Sequence, residues 1–179
     1  MGTPTRCLYL AALLCVAITA LAQWKKTPLE VPAQPNPHLY REDANANAEI
    51  NQALVTAMRQ HKRVLLDFGG NWCIDCHILE RAFHQPRIAP LLHDNFVLVH
   101  VDVGHYDKNL ELAKKYKVDL QKGVPSLTVV SQRGAVLYST GDFERARVLS
   151  EEDVIIFLTK WKPPSRGKPE PGPPGARTQ

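Results

Sequence analysis

With 179 residues and a 44% apolar share, the chain has room for one folded domain plus tails. Its net charge of +4 is mild and its basic residues form no block with interleaved aromatics, which excludes a nucleic-acid-binding reading. The 14 prolines are many for a compact domain and gather at the two ends, marking those ends as extensions.

The first segment reads as an export signal. Arg6 supplies a positive start, residues 8–21 are almost wholly apolar, and Ala20-Leu21-Ala22 is a small-residue cleavage pattern. Residues 1–22 are therefore expected to be removed, leaving Gln23 as the first mature residue. A retained membrane anchor is the alternative, although the apolar run is short for a span of about 20 residues. A lipoprotein signal fits less well, because Leu14 precedes Cys15 where a small residue is expected. Cys7 and Cys15 leave with the signal, so Cys73 and Cys76 remain as the one possible internal pair. Residues 23–43 carry Pro28, Pro32, Pro35 and Pro37 and read as an extended linker or a strap. Residues 163–179, rich in Pro and Gly, read as a disordered tail, with the folding domain at 44–162.

Within that domain, the spacing of Ile50, Ala53, Leu54, Ala57 and Met58 predicts an amphipathic helix over about 44–61. Val64-Leu65-Leu66-Asp67-Phe68 predicts a short buried strand. A helix over 73–83 should pack through Ile74, Ile78, Leu79 and Phe83 until Pro86 interrupts it, with a further helical turn over 88–93. Residues 96–102 predict a second strand, and Leu110, Leu112 and Ala113 a short helix over 109–116. Residues 126–130 and 135–139 flank Gln132-Arg133-Gly134 as a hairpin. Ser150 and Asp153 form a capping-box pattern, Val154, Phe157, Leu158 and Trp161 continue as a buried stripe, and Pro163 stops the helix. Two strands joined through a helix should run parallel, and the hairpin should add antiparallel edges. The expected fold is α/β, a central mixed β-sheet flanked by helices.

Cys73-Ile74-Asp75-Cys76 is the stretch that can carry chemistry. Two thiols separated by two residues can close a small disulfide in the first turn of a helix, where the helix start favours the thiolate, the reactive species. Most disulfides of exported proteins are structural. A bridge closing so small a loop gains little chain entropy, so redox work is the better reason for this one.

These elements and motifs, in this order, resemble the thioredoxin family over roughly residues 44–161, and in particular exported bacterial members and the soluble reductase end of membrane electron carriers. Asp67 closes the first strand, Trp72-Cys73-x-x-Cys76 opens a helix, Val124-Pro125 precedes the hairpin, and Gly134 lies in its turn. The resemblance implies a thioredoxin fold and a thiol–disulfide oxidoreductase that needs no cofactor or metal, because the dithiol itself carries two electrons. It assigns Cys73, as the exposed cysteine, attack on a partner disulfide, and Cys76 release of the mixed disulfide. It makes Asp67 a buried acid, its pKa raised by burial, that exchanges a proton with Cys76. Pro125 would follow a cis peptide and present backbone groups to substrate. Trp72 and Val124 would face the substrate, with Trp72 shielding one side of the disulfide. Plainer roles remain open: Asp67 as a solvated strand-end carboxylate, Pro125 as a trans proline, Trp72 as a core aromatic. The implied partners are proteins with disulfides or thiols and an unidentified electron donor, a membrane thiol carrier being one candidate. The chain would be a periplasmic or otherwise extracytoplasmic monomer.

Three departures from the family pattern bear on the chemistry. Ile74-Asp75 replaces the usual Gly-Pro, and the charge of Asp75 should disfavour the Cys73 thiolate, partly offset by the helix dipole. That points toward a reductant. His77 stands where a Lys is usual, and Leu98 where a Lys often accompanies the buried acid. Residues 103–121 also form a longer stretch than in compact members. His84, His93, His100 and His105 read as surface or structural residues, and His100 receives no role. Three rival readings are weighed. Cys73-Ile74-Asp75-Cys76-His77 is a literal c-type haem attachment motif, but the only mature Met for a second axial ligand, Met58, sits on a predicted core face. Copper handling resembles a spacing one residue longer. A fold kept only for interaction is opposed by the intact cysteine pair.

Overall fold

Helix α1 (Ala46–Gln60) starts where the Asn45 side chain accepts the Ala48 amide and stops at His61, which takes a left-handed φ of 56°. Its buried stripe is Ile50, Ala53 and Ala57, whereas Met58, expected on the same face, is 57% exposed. Met58 stands about 100° around the helix from Ala57, which carries it off the stripe. The computed structural model describes residues 26–140 and 142–165. The expected export signal and residues 166–179 of the expected tail lie outside them. No helix among the described residues is long and apolar enough to cross a membrane.

Strand β1 (Arg63–Gly69) is buried along its whole length and has a partner on each side. It pairs in parallel with β2 (Phe96–Asp102) and antiparallel with β3 (Ser126–Val130). β3 in turn pairs antiparallel with β4 (Val136–Thr140), giving the order β2-β1-β3-β4. The hairpin therefore supplies one edge and one interior strand rather than two edges. All five residues of β3 are buried, and a strand covered on both faces belongs inside a sheet. Gly134, at φ 82°, makes the turn between them.

The period-two alternation of β1 sorts two cores. Val64, Leu66 and Phe68 pack with α1 and with α4 (Leu110–Lys115). Leu65 packs with α2 (Ile74–Phe83), α3 (Ala89–Asn95) and α5 (Glu151–Trp161) on the other side. The α5 start is a reciprocal capping box: Ser150 Oγ accepts the Asp153 amide at 3.3 Å and Asp153 Oδ2 accepts the Ser150 amide at 2.9 Å. Ile74 and Leu110, expected to pack, are exposed instead, each in the first turn of a short helix.

The segment before α1 lies against the domain. The Leu29 amide donates to the Leu149 carbonyl at 2.9 Å, and Leu29 is buried in the α2–α5 core. Leu39 and Tyr40 are buried in the opposite core. Tyr40 is clasped by Asn71, which accepts its amide at 2.9 Å and donates to its carbonyl at 2.8 Å. A segment N-terminal to the expected domain start thus reaches the loop that leads into Cys73.

Candidate active site

Cys73 and Cys76 are joined in a disulfide at the start of α2. Cys73 is the N-cap, and its sulfur accepts the Cys76 amide at 3.1 Å, a position where Ser or Asp usually offers oxygen. In the reduced protein the same amide would favour a Cys73 thiolate. Cys73 was expected to be the exposed cysteine, yet it is only 5% exposed. The Val124 carbonyl oxygen lies 3.4 Å from its sulfur, and the Val124–Pro125 peptide, which is cis, covers that side. Cys76 is wholly buried.

Trp72 does not enter the core. It is 47% exposed, and its indole Nε1 donates to the Gly104 carbonyl at 2.7 Å. Its ring stacks on His105 at 5.5 Å and meets Tyr106 at 5.6 Å. The longer stretch after β2 thus forms a platform for Trp72. Asp102 pins that platform by accepting the Gly104 amide and the Lys108 ammonium, both at 3.0 Å.

Asp75 does not act as a bare charge beside Cys73. It is buried, and Arg147 in the 3₁₀ turn Ala146–Val148 takes both its oxygens. The Arg147 amide and Nε donate to Oδ1 at 3.0 and 3.1 Å, and Nη2 donates to Oδ2 at 2.5 Å. Burial alone would raise the Asp75 pKa, but the Arg147 hydrogen bonds and charge outweigh it and hold the carboxyl below its usual range. The expected field of Asp75 on Cys73 is thereby compensated.

His77 is buried, and its Nε2 meets the Asn71 carbonyl at 2.8 Å. A carbonyl can only accept, so Nε2 carries the hydrogen. The ring is committed to the loop before Trp72, and Met58 lies exposed on α1. The haem reading finds no support in this arrangement.

Asp67 is wholly buried in β1, not solvated. Its Oδ2 accepts two hydrogen bonds, from the Tyr40 hydroxyl at 2.8 Å and from His100 Nδ1 at 3.0 Å. Its Oδ1 has no hydrogen-bond partner among the described residues. The register explains His100: Leu98 faces Leu65, and His100 faces Asp67. The basic partner of the acid is therefore His100, two residues beyond Leu98, the position that holds a Lys in the resembling pattern. His100 Nε2 lies 3.4 Å from Glu80 Oε2, and Glu80 Oε1 meets His84 Nε2 at 2.8 Å. Burial works against charge on His100, but the hydrogen bonds and charges of Asp67 and Glu80 prevail and raise its pKa to about 10. Burial, followed by the Asp67 charge, lifts Tyr40 well above its usual value, so it stays a neutral donor.

Sequence reasoning brought Asp67, Trp72, Cys73, Cys76, Val124 and Pro125 forward, and the fold gathers all six at the C-terminal end of β1. It missed Tyr40, Glu80, His100 and Arg147. His100 had a partial signal: setting the predicted strands start to start, Val64 against Phe96, places it opposite Phe68, one residue from its observed partner Asp67. Glu80 had a weaker one, one helical turn beyond Cys76. Tyr40 lies in the segment read as a linker or a strap, with no pattern to say that this residue enters the core, and Arg147 lies in a turn whose docking no local pattern announces.

A thioredoxin-like family model matches residues 45–131. Over 116 residues the chain is 34% identical to the thiol:disulfide interchange protein DsbD of Pseudomonas fluorescens, covering 64% of this chain and 18% of that protein. It is 33% identical over 89 residues to the protein of the same name from Vibrio cholerae, covering 49% of this chain and 14% of that one. The chain thus spans less than a fifth of the length of these curated relatives. A crystal structure described as a disulphide isomerase from Xylella fastidiosa Temecula1 superposes with a TM-score of 0.65 at 38% identity, covering 68% of this chain and 95% of that one. With its mixed four-stranded sheet, its disulfide at a helix start and this set of relatives, the chain belongs to the thioredoxin-like family.

Proposed function

We propose that the chain is a thiol–disulfide oxidoreductase that passes two electrons between the Cys73–Cys76 pair and protein partners. The observation that carries this reading is the disulfide itself, closed at a helix N-terminus with the Cys76 amide on the Cys73 sulfur. The interchange named in the relatives supports it. In the reductive direction the Cys73 thiolate attacks one sulfur of a partner disulfide, forming a mixed disulfide and releasing the other partner sulfur as a thiolate. Cys76 gives its proton to Asp67 and attacks the Cys73 sulfur, which expels the second partner thiolate. The partner gains two electrons and, on protonation, two hydrogens; the pair becomes a disulfide.

Val124 and Pro125 present backbone to the partner beside Cys73. The exposed apolar groups Trp72, Ile74, Tyr106 and Leu110 supply contact area around them. Tyr106, Leu110 and Leu120 also line a cavity of about 660 Å³ that reaches Gly123, next to Val124. The favoured direction is reduction of partners, a direction that rests on the resemblance to the soluble reductase end of membrane electron carriers and not on Asp75, whose charge Arg147 compensates; a separate donor, for which a membrane thiol carrier is the candidate, restores the electrons. The export pattern of residues 1–22 supports work in an extracytoplasmic, periplasmic space, where the domain is taken to act as a monomer.

Insulin reduction under a dithiol regenerating system tests the activity. The parent accelerates precipitation of the B chain, and Cys73→Ser falls to the uncatalysed rate; equal rates for the two remove Cys73 from the reaction. Equilibration with glutathione tests direction. A potential near that of thioredoxin, about −270 mV, marks a reductant, and one near −120 mV an oxidant.

A further inference from the structure

The geometry points to Tyr40 and His100 as positioning residues that hold one oxygen of Asp67 and leave the other as the acceptor for the Cys76 proton. The inference rests on the reading of Asp67 as that acceptor and says what makes it one. Both donors converge on Oδ2, at 2.8 and 3.0 Å, while Oδ1 of this wholly buried carboxylate has no partner among the described residues. An unpartnered buried carboxylate oxygen is costly unless something else uses it. Reduced Cys76, whose sulfur lies beside the Tyr40 hydroxyl that binds Asp67, is a group able to do so. A Cβ built on Gly69 would collide with the Tyr40 hydroxyl end and come within 2.8 Å of the Cys76 sulfur, so both crowd the same point.

The donors come from opposite sides. Tyr40 arrives from the segment before α1, outside the residues that match the family model, and Asn71 clasps its backbone. Its ring also meets the His100 ring edge-on at 5.3 Å. The titratable groups around Asp67 are Tyr40 from that segment, His100 and Asp102 from β2, and Glu80 from α2, with Cys76 beside the Tyr40 hydroxyl. Across β3, Asp67 faces Leu127, which carries no charge. His100 and Glu80 are each about one-fifth exposed, at 21% and 22%, which puts an otherwise buried network in contact with solvent. In the resolving step the Cys76 S–H bond breaks, its proton joins Asp67 Oδ1, and the thiolate forms the bond to Cys73 as the partner sulfur leaves with its electron pair.

The pH profile of disulfide reduction by the full chain, read with the Cys76 Cβ chemical shift of the reduced protein, tests this. Tyr40→Phe removes one donor and should move both the profile and the Cys76 titration by about one pH unit, with kcat near neutrality down about tenfold. KM for insulin and the rate of Cys73 alkylation should stay at the parent values. A Phe variant with the parent's profile overturns the inference. If Asp67→Asn also keeps the parent's profile, the reading of Asp67 itself fails; if Asp67→Asn loses the acid limb while Tyr40→Phe does not, only the positioning role fails. A measurement on the parent guards against a variant that does not fold. Ring ¹⁵N shifts at pH 8 should show His100 carrying hydrogen on both nitrogens, and a singly protonated ring removes it as the bridge.

Discussion

Two buried aspartates flank the disulfide, and the protein treats them in opposite ways. Asp75, between the cysteines, is saturated: one guanidinium and one amide from the Arg147 turn occupy both its oxygens. Asp67, beneath the cysteines, has two donors on one oxygen and, among the described residues, none on the other. A fully partnered carboxylate is fixed as an anion and serves as an anchor. A half-partnered one keeps a site for a proton. Burial alone, which the two share, does not separate structure from chemistry; the count of donors on each oxygen does.

The sharpest break in that comparison comes from the base of the Asp67 network. His100→Gln replaces a cation held between Asp67 and Glu80 with a neutral amide. Removing one partner from a buried charge cluster costs about 3 kcal/mol, so urea unfolding at pH 7 should show a loss of that order. The pH dependence has a defined sign. The folded-state pKa of His100 is raised from 6.5 to about 10, against burial, by Asp67 and Glu80. Its contribution is therefore fully present below pH 6.5 and disappears as pH rises through about 10. The gap between parent and variant should close over that window; a gap of constant size from pH 6 to pH 10.5 contradicts the bridged imidazolium.

Arg147 gives a smaller effect of a different kind. Arg147→Ala strips the counter-charge from Asp75 and exposes Cys73 to an uncompensated anion two residues along the motif. The Cys73 thiolate should become less favoured, and iodoacetamide should alkylate the reduced variant more slowly at pH 7, by up to about tenfold, the factor one pH unit represents. The double variant Arg147→Ala with Asp75→Asn should recover the parent rate. Failure of that rescue means Arg147 acts on the thiols by another route.

The contrast between the two aspartates also marks what the sequence could tell. Asp67 and the cysteines lie in one continuous strand–loop–helix segment, so local pattern alone placed them together. The parallel pairing of β1 with β2 and the α5 capping box were legible because the first follows from the helix that joins the two strands and the second from a short polar motif. The interior position of β3 was not, because the choice between an edge and the centre is made by which strand meets β1. Arg147 lies 72 residues from Asp75, and Tyr40 27 residues from Asp67, in segments with no periodicity to align. The apolar spacing of α1 suggested that Met58 would pack, although the sheet covers too narrow an arc of that helix to reach it. Charge partners across such separations are tertiary facts, and at this site they decide which carboxylate has an oxygen free.

The smallest effect belongs to the rim, at the far end of the segment that delivers Tyr40. Lys26 Nζ sits 2.7 Å from Asp153 Oδ1, and both side chains reach solvent. Hydrogen bonds from Lys26 and Ser150 lower the Asp153 pKa to about 2, so this contribution is present above its ordinary 3.8 and is lost as pH falls through about 2. An exposed pair of this kind is worth about 0.5 kcal/mol and is screened by salt. Lys26→Ala should lower stability by about that amount at neutral pH, with the difference fading in 1 M salt. Tyr40 is held locally by the Asn71 clasp, so the pH profile of disulfide reduction should not move. A profile that shifts with Lys26→Ala would mean that the segment transmits its docking along its length to Asp67, and that rim and network are one unit.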